Sequence, residues 1–328
     1  MKEIKKVVIA FNEVQENAGP DELDIFDQVE LAENCLKELG YETSRVTVNL
    51  DLSKFKKALL DEKPDLIFNL VESINNHGEL LYFAPALYNN LRIPYTGVNT
   101  NGLFITTNKP LAKVWMQRNN IPTPESAELN ETHKLKKDKT YLVKPKLEDG
   151  SLGFDDDLVF KGADVDKFDK IKTMSTNHFF IEEYVDGREF NISMLGGNKG
   201  PEILPIPEMN FHNFPEDKPK IMGFRAKWEE GSFEYENTSR SFIDETSENV
   251  LVDKLKKICV ECWNAFELSG FVRVDFRVDK QGNPYVLEVN ANPCITPGSG
   301  FYSACEKAGY TFTSAVVRII EDATRNLR

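Results

Sequence analysis

The sequence predicts an α/β protein with a parallel-sheet first third and an α+β C-terminal part. Three observations predict it. Short apolar runs (KVVIAF, TSRVTV, DLIFNL) alternate with stretches of helical period in the first third, as parallel strands joined by crossover helices require. Farther along, FVRVDFRV and YVLEVN flank the turn KQGNP, a pattern that reads as an antiparallel hairpin. Finally, 328 residues of which 41% are hydrophobic and 28% charged suffice for two or three compact units of ordinary globular composition.

In chain order, KVVIAF is the first strand, and the periodic stretch Leu23 to Leu39 before Gly40 is the first helix. The strand TSRVTV, a helix near Leu52 to Leu60 and the strand DLIFNL complete the βαβ pattern. No G-x-G-x-x-G follows the first strand, so a dinucleotide fingerprint is absent. Turn chemistry in IPYTGV and a helix from about Thr107 open a second unit. There YLVKPK leads into the loop LEDGSLGF, a glycine-bearing flap between two β runs, and HFFIEEYVDGREFNISML follows. The last third holds EILPIPEMNF, FRAKW, a helix over Val250 to Phe266, the hairpin and the closing helix TSAVVRIIEDATR. The expected division is residues 1–104, 105–190 and 191–328.

The formal net charge of −13 argues against a nucleic-acid binder, because phosphate backbones attract clustered cations. No apolar run approaches a membrane span, and KVVIAF is too short for a signal-peptide core. Cys35, Cys259, Cys262, Cys294 and Cys305 are odd in number and scattered, which suits reduced thiols and a cytoplasmic location. Cys259 and Cys262 form a C-x-x-C pair, but no partner pair completes a zinc site, so core packing is expected of them.

The hairpin carries the most informative pattern. Alternation puts Arg273, Asp275 and Arg277 on one face with Glu288 and Asn290, and Val274, Phe276, Leu287 and Val289 on the other. Two carboxylates and an amide oxygen are hard donors of the kind magnesium accepts beside phosphates. Alternation alone equally allows a solvated face with the arginines pairing the acids. Lys144 precedes the Asp149–Gly153 turn, whose backbone N–H groups and Ser151 hydroxyl suit phosphates. Lys109 opens a helix and Lys227 sits in FRAKW.

In order along the chain, TTNKPLAK, VKPKLEDGSLGF, FIEEYVDGREF, FRAKW, VRVDF and LEVNANPCITPGS resemble the ATP-grasp superfamily and its D-alanine:D-alanine ligase branch. The resemblance implies an ATP-grasp fold behind an N-terminal parallel-sheet domain. It implies that Lys109 and Lys144 contact ATP phosphates under the Ser151 loop. Glu182, Glu183, Tyr184 and Val185 would form the adenine linker, with Glu189 on the ribose. Asp275, Glu288 and Asn290 would hold two magnesium ions, manganese being the alternative, and Arg273 would stabilise the transferring group. Lys227 would lie near the γ-phosphate and a substrate carboxylate.

The implied reaction activates a carboxylate as an acyl phosphate and joins it to an amine, giving an amide, ADP and phosphate. The partners are small-molecule carboxylate and amine substrates, and a homodimer is expected. Departures cluster at the substrate end. Glu72 stands where no acid is usual, and only His77-Gly78 resembles the family's first-substrate segment. The glutamate for the first amino group is Glu13 or Glu22. Trp228 replaces a tyrosine, Cys294 a glycine beside the oxyanion, and Ser299 matches the serine for the second substrate's carboxylate. These changes point to altered substrates. A non-ligating ATP-binding protein and an ATP-grasp kinase acting on a carboxylate are the competing readings.

Overall fold

A computed structural model describes residues 3–15, 18–147, 156–197 and 200–325. The first sheet has the order β2-β1-β3, all parallel: β1 (Lys6–Asn12) lies between β2 (Glu42–Val48) and β3 (Leu66–Leu70). Val7, Val8 and Ile9 are all fully buried, which explains an unbroken apolar run rather than an alternating one. The crossover helices are α1 (Pro20–Glu38) and α2 (Leu52–Glu62), the latter started by Asp51, whose carboxylate accepts the Lys54 N–H at 3.0 Å.

Three helices follow: α3 (Phe83–Leu91), α4 (Thr100–Thr107) and α5 (Lys109–Arg118). The sequence suggested one helix from about Thr107; the structure has two, divided at Asn108. Asn108 leaves helical geometry and accepts the Leu111 N–H at 3.1 Å, so it ends α4 and caps α5. Lys109 thereby sits at the first position of a helix, and its own N–H is held by Lys146 O at 2.9 Å.

The second sheet, ordered β4-β7-β5-β6, is antiparallel. It comprises β4 (Ser126–Glu128), β5 (Thr140–Pro145), β6 (Val159–Lys161) and, after the short α6 (Lys170–Thr173), β7 (Phe179–Glu183). The Ser151 loop between β5 and β6 lies outside the described residues.

The third sheet has the path β11-β10-β8-β12-β13, with β9 beside β8. Its strands are β8 (Gly187–Leu195), β9 (Glu202–Ile203), β10 (Pro207–Phe211), β11 (Thr238–Phe242), β12 (Phe271–Asp279) and β13 (Pro284–Asn290). The short helices α7 (Phe224–Trp228) and α8 (Phe233–Glu236) separate β10 from β11. Beyond them come α9 (Asn249–Ala265), α10 (Gly300–Lys307) and α11 (Phe312–Thr324). Cys259 and Cys262 are free thiols, fully buried on α9, in keeping with core packing.

Each face of the first sheet shares a core with the C-terminal part. Val8 and Ile67 belong to the cluster holding Val274 and Phe276, whereas Ile9 and Phe68 belong to that of Phe271, Phe301 and Ile319. The two parts also touch backbone to backbone. A Cβ on Gly270, which has φ +70°, would lie 2.8 Å from both Cα and N of Gly97, so only glycine permits the approach. Among the described residues, no helix is long and apolar enough to cross a membrane.

Candidate active site

The hairpin positions the acidic residues. Arg273 lies opposite Asn290, Val274 opposite Val289, and Asp275 opposite Glu288, so the polar face forms as alternation requires. Beyond Asp275 the register shifts, and Phe276 meets Val286. Leu287 is therefore the extra residue of a β-bulge. This corrects its placement on the buried apolar face: Val286, fully buried, takes that position, and Leu287 lines the cleft beside Glu288. Alternation fails here because a bulge resets the period of two.

Two carboxylates directly opposite repel unless a cation intervenes. Here the protein supplies cations: Arg273 grips Asp275 with two hydrogen bonds of 2.7 and 2.8 Å, and Lys109 Nζ lies 3.5 Å from Glu288. Burial disfavours the charged form of Glu288, but the fields of Lys109, Lys144, Lys227 and Arg273 outweigh it and hold the carboxyl well below its ordinary range. Lys227 is shifted down by burial and by Arg273. Among the described residues no cluster of three or more His, Cys, Asp or Glu could cage a metal. Asp275, Glu288 and the Asn290 amide fit instead a hard ion that shares its coordination with a ligand's oxygens, as magnesium does.

A cleft opens beside this face. Lys109, Lys144, Lys227, Asp275 and Glu288 line one end; Tyr184, Val185, Ile221, Met222 and Leu287 give the rest an apolar wall. The linker residues meet here, but their side chains are differently employed. Glu182, 1% exposed, is clamped between Lys144 at 2.9 Å and Lys113. Glu183 turns to Lys139 at 2.7 Å. Glu189 is buried beside Arg277 at 3.2 Å, and its carboxyl is shifted up by burial against the pull of Arg277.

Sequence reasoning missed two of these cations. Lys113, buried on α5, also donates to Thr123 Oγ1 at 2.9 Å, and that hydroxyl donates to Val286 O at 2.8 Å. Arg277, which alternation alone equally allowed on a solvated face, is 3% exposed. It donates to Val185 O at 2.9 Å, Lys220 O at 2.9 Å and Tyr184 Oη at 3.2 Å. It thus ties the linker to β12.

The profile described as "D-ala D-ala ligase C-terminus" matches residues 114–321. The chain belongs to the D-Ala–D-Ala ligase family. An uncharacterized protein, y4sG, of Sinorhizobium fredii is 28% identical over 299 residues, spanning 89% of this chain and 85% of the relative. D-alanine–D-alanine ligase of Rickettsia africae is 27% identical over 303 residues, spanning 88% and 84%. Two structures of D-alanine–D-alanine ligase from Bacillus anthracis, the second complexed with ATP, superpose with TM-scores of 0.74 and 0.71 at 21% and 20% identity, each covering 98% of both chains. The fold is ATP-grasp, and the chain is an ATP-dependent carbon–nitrogen ligase.

In this D-Ala–D-Ala ligase family member a polar cluster is built from both ends of the chain. Thr296 Oγ1 donates to Asp24 Oδ1 at 2.7 Å, and the Cys294 thiol donates to Asp24 Oδ2 at 3.0 Å. Gln28 Nε2 bridges Asp24 at 3.1 Å and Glu72 at 3.0 Å. Burial, then the fields of Glu72 and Asp24, push the Cys294 thiol up and keep it neutral. Glu13 accepts from Asn49 at 2.9 Å and Glu22 from Asn76 at 3.1 Å, with the second Glu22 oxygen buried and unpartnered among the described residues. Asp24 lies one helical turn before Gln28 on α1. The His77 side chain is 53% exposed beside Glu79. Trp228 is half-buried on α7 next to Lys227 and does not line the cleft. Ser299 caps α10, accepting the Tyr302 N–H at 3.3 Å.

Proposed function

We propose that this enzyme activates the carboxylate of an amino acid with ATP and joins it to an amine, with magnesium held by Asp275, Glu288 and Asn290. The observation that carries the reading is the convergence of Lys109, Lys144 and Lys227 with Asp275 and Glu288 in one apolar-walled cleft, Asp275 being held by Arg273. That arrangement suits a nucleotide whose base lies against Tyr184, Val185 and Leu287 and whose phosphates meet the lysines. When bound, magnesium would neutralise charge on the phosphates. Lys109 and Lys144 would hold the phosphates, with Ser151 covering them. Glu182 acts from behind as a buried counter-ion that fixes Lys144. Arg273, braced by Asp275, would steady charge developing on the transferring group.

The amino-acid part of the reading draws on Asp24 and Glu72, bridged by Gln28 beside Cys294. These carboxylates suit the ammonium of the first substrate, whose carboxylate would then face Arg273, and the backbone N–H of residue 294 would serve the oxyanion. Glu72 and Cys294 both depart from D-alanine ligases, which favours a substrate other than D-alanine. The reading includes lobe boundaries near residues 104 and 190, a cytoplasmic location and a homodimer; limited proteolysis, cell fractionation and sedimentation check them in turn.

The test is ADP and phosphate release with ATP and magnesium across L- and D-amino acids, with products identified by mass. Release with D-alanine alone, at ordinary ligase rates, overturns the altered substrate. A phosphorylated product without an amide overturns ligation.

A further inference from the structure

We propose that Arg240 is a specificity-determining residue that receives a carboxylate on the amine substrate. The inference rests on the ligase reading above and assigns the residue that would hold the acceptor's carboxylate. Ser299 was the expected carboxylate ligand, but its hydroxyl donates to Cys294 O at 3.0 Å and accepts the Tyr302 N–H. Its only proton is committed.

Arg240 stands where that function can be taken over. It projects from the edge strand β11, and its Nη1 donates to Gly298 O at 2.9 Å, Ser299 O at 3.3 Å and Ser303 Oγ at 3.2 Å. These bonds fix the guanidinium while Nε and Nη2 have no partner among the described residues. No carboxylate pairs with it among them either, whereas Arg273 already has Asp275.

The two arginines approach one point. A Cβ built on Gly300 would lie 3.9 Å from Arg240 Nη2 and 3.7 Å from Arg273 Cδ, so the missing side chain leaves room between them. Gly300 is also the first residue of α10, whose opening amide N–H groups favour a negative ligand. A planar carboxylate matches the free edge of the guanidinium.

The experiment measures ADP release by the full chain with ATP and magnesium, offering amino acids and the corresponding amino-acid amides as acceptors to each donor amino acid. Wild type should prefer the acids. Arg240→Gln should raise KM for acid acceptors roughly 10- to 100-fold, as expected on losing a charged hydrogen bond, and leave amide acceptors and the KM for ATP unchanged. Arg240→Lys should recover part of the loss. Gly300→Asp places an anion between the arginines without altering either, and should also erase the preference for acids while raising the melting temperature.

Equal losses for acids and amides in Arg240→Gln would mean that Arg240 only braces the 298–303 loop, which overturns the inference and leaves the ligase reading intact. So would an acid preference that survives both Arg240→Gln and Gly300→Asp, or wild type that favours amides. No ADP release by wild type with any pair overturns the ligase reading and this inference with it.

Discussion

Replacing Glu288 by glutamine removes one negative charge from a group of four cations while keeping the shape of the side chain. At 3.5 Å from Lys109, the gross attraction is about 5 kcal/mol at an effective dielectric of about 20, much of it offset by desolvation. Two effects of opposite sign follow. Without metal, Lys109, Lys144, Lys227 and Arg273 face a triphosphate with less opposition; in a wet cleft one charge at such range is worth about 1 kcal/mol, so ATP affinity measured calorimetrically in a chelator should rise about fivefold. With magnesium, loss of a ligand to the ion should lower kcat by roughly 10²–10³-fold, the scale of other preorganised electrostatic contacts. Coupled ADP-release assays over a magnesium titration supply the second number. Turnover within about threefold of wild type would remove Glu288 from the metal site. Weaker metal-free binding would refute the electrostatic reasoning itself.

Lys113→Met should destabilise the protein by about 3–5 kcal/mol in chemical denaturation, because Glu182 loses one of two cations in a site where both partners are 1% exposed. Lys113→Met combined with Glu182→Leu should cost less than the single change, and a larger cost would contradict the buried-pair account. Gly270→Ala should lower stability by about 1–3 kcal/mol by driving Gly97 away; an unchanged melting temperature would show that the contact can relax. Arg188 joins Glu208 and Glu248, and its hydrogen bonds hold the Glu248 carboxyl below its ordinary value. A depressed carboxylate stabilises the fold above its unfolded pKa and loses that contribution as pH falls through the folded one. Stability should therefore drop more steeply below about pH 5 in wild type than in Glu248→Gln, by no more than about 1 kcal/mol because the pair is partly solvated. Parallel acid-titration curves would exclude it.

Much of the architecture was legible because it rests on local periodicity. The run VVIAF announces a strand buried on both faces, and FVRVDFRV announces one with a polar face. What was not legible depends on neighbours far along the chain. Asp24 meets Cys294 and Thr296 across some 270 positions, and nothing in PDELD distinguishes it from Glu22. Lys113 and Arg277 read as solvated charges until β7 and the linker close over them. Asn108 could have been read as a cap ahead of Lys109-Pro110, since asparagine before proline favours a helix start. The bulge at Leu287 was beyond alternation because the residue count across a ladder is a property of the pair, not of either strand.

That bulge also bears on how the site can change over generations. One uncounted residue lets the same short strand send Val286 inward, Leu287 to one ligand region and Glu288 to another, while Val286 is pinned by its backbone to Pro122 and Thr123. On the proposed reading, substitutions there would alter base contact or metal affinity one at a time. Deleting Leu287 would remove the bulge and leave Glu288 and Asn290 opposite Asp275 and Arg273. The bulge is thus where this strand can change length without moving Glu288 or Asn290.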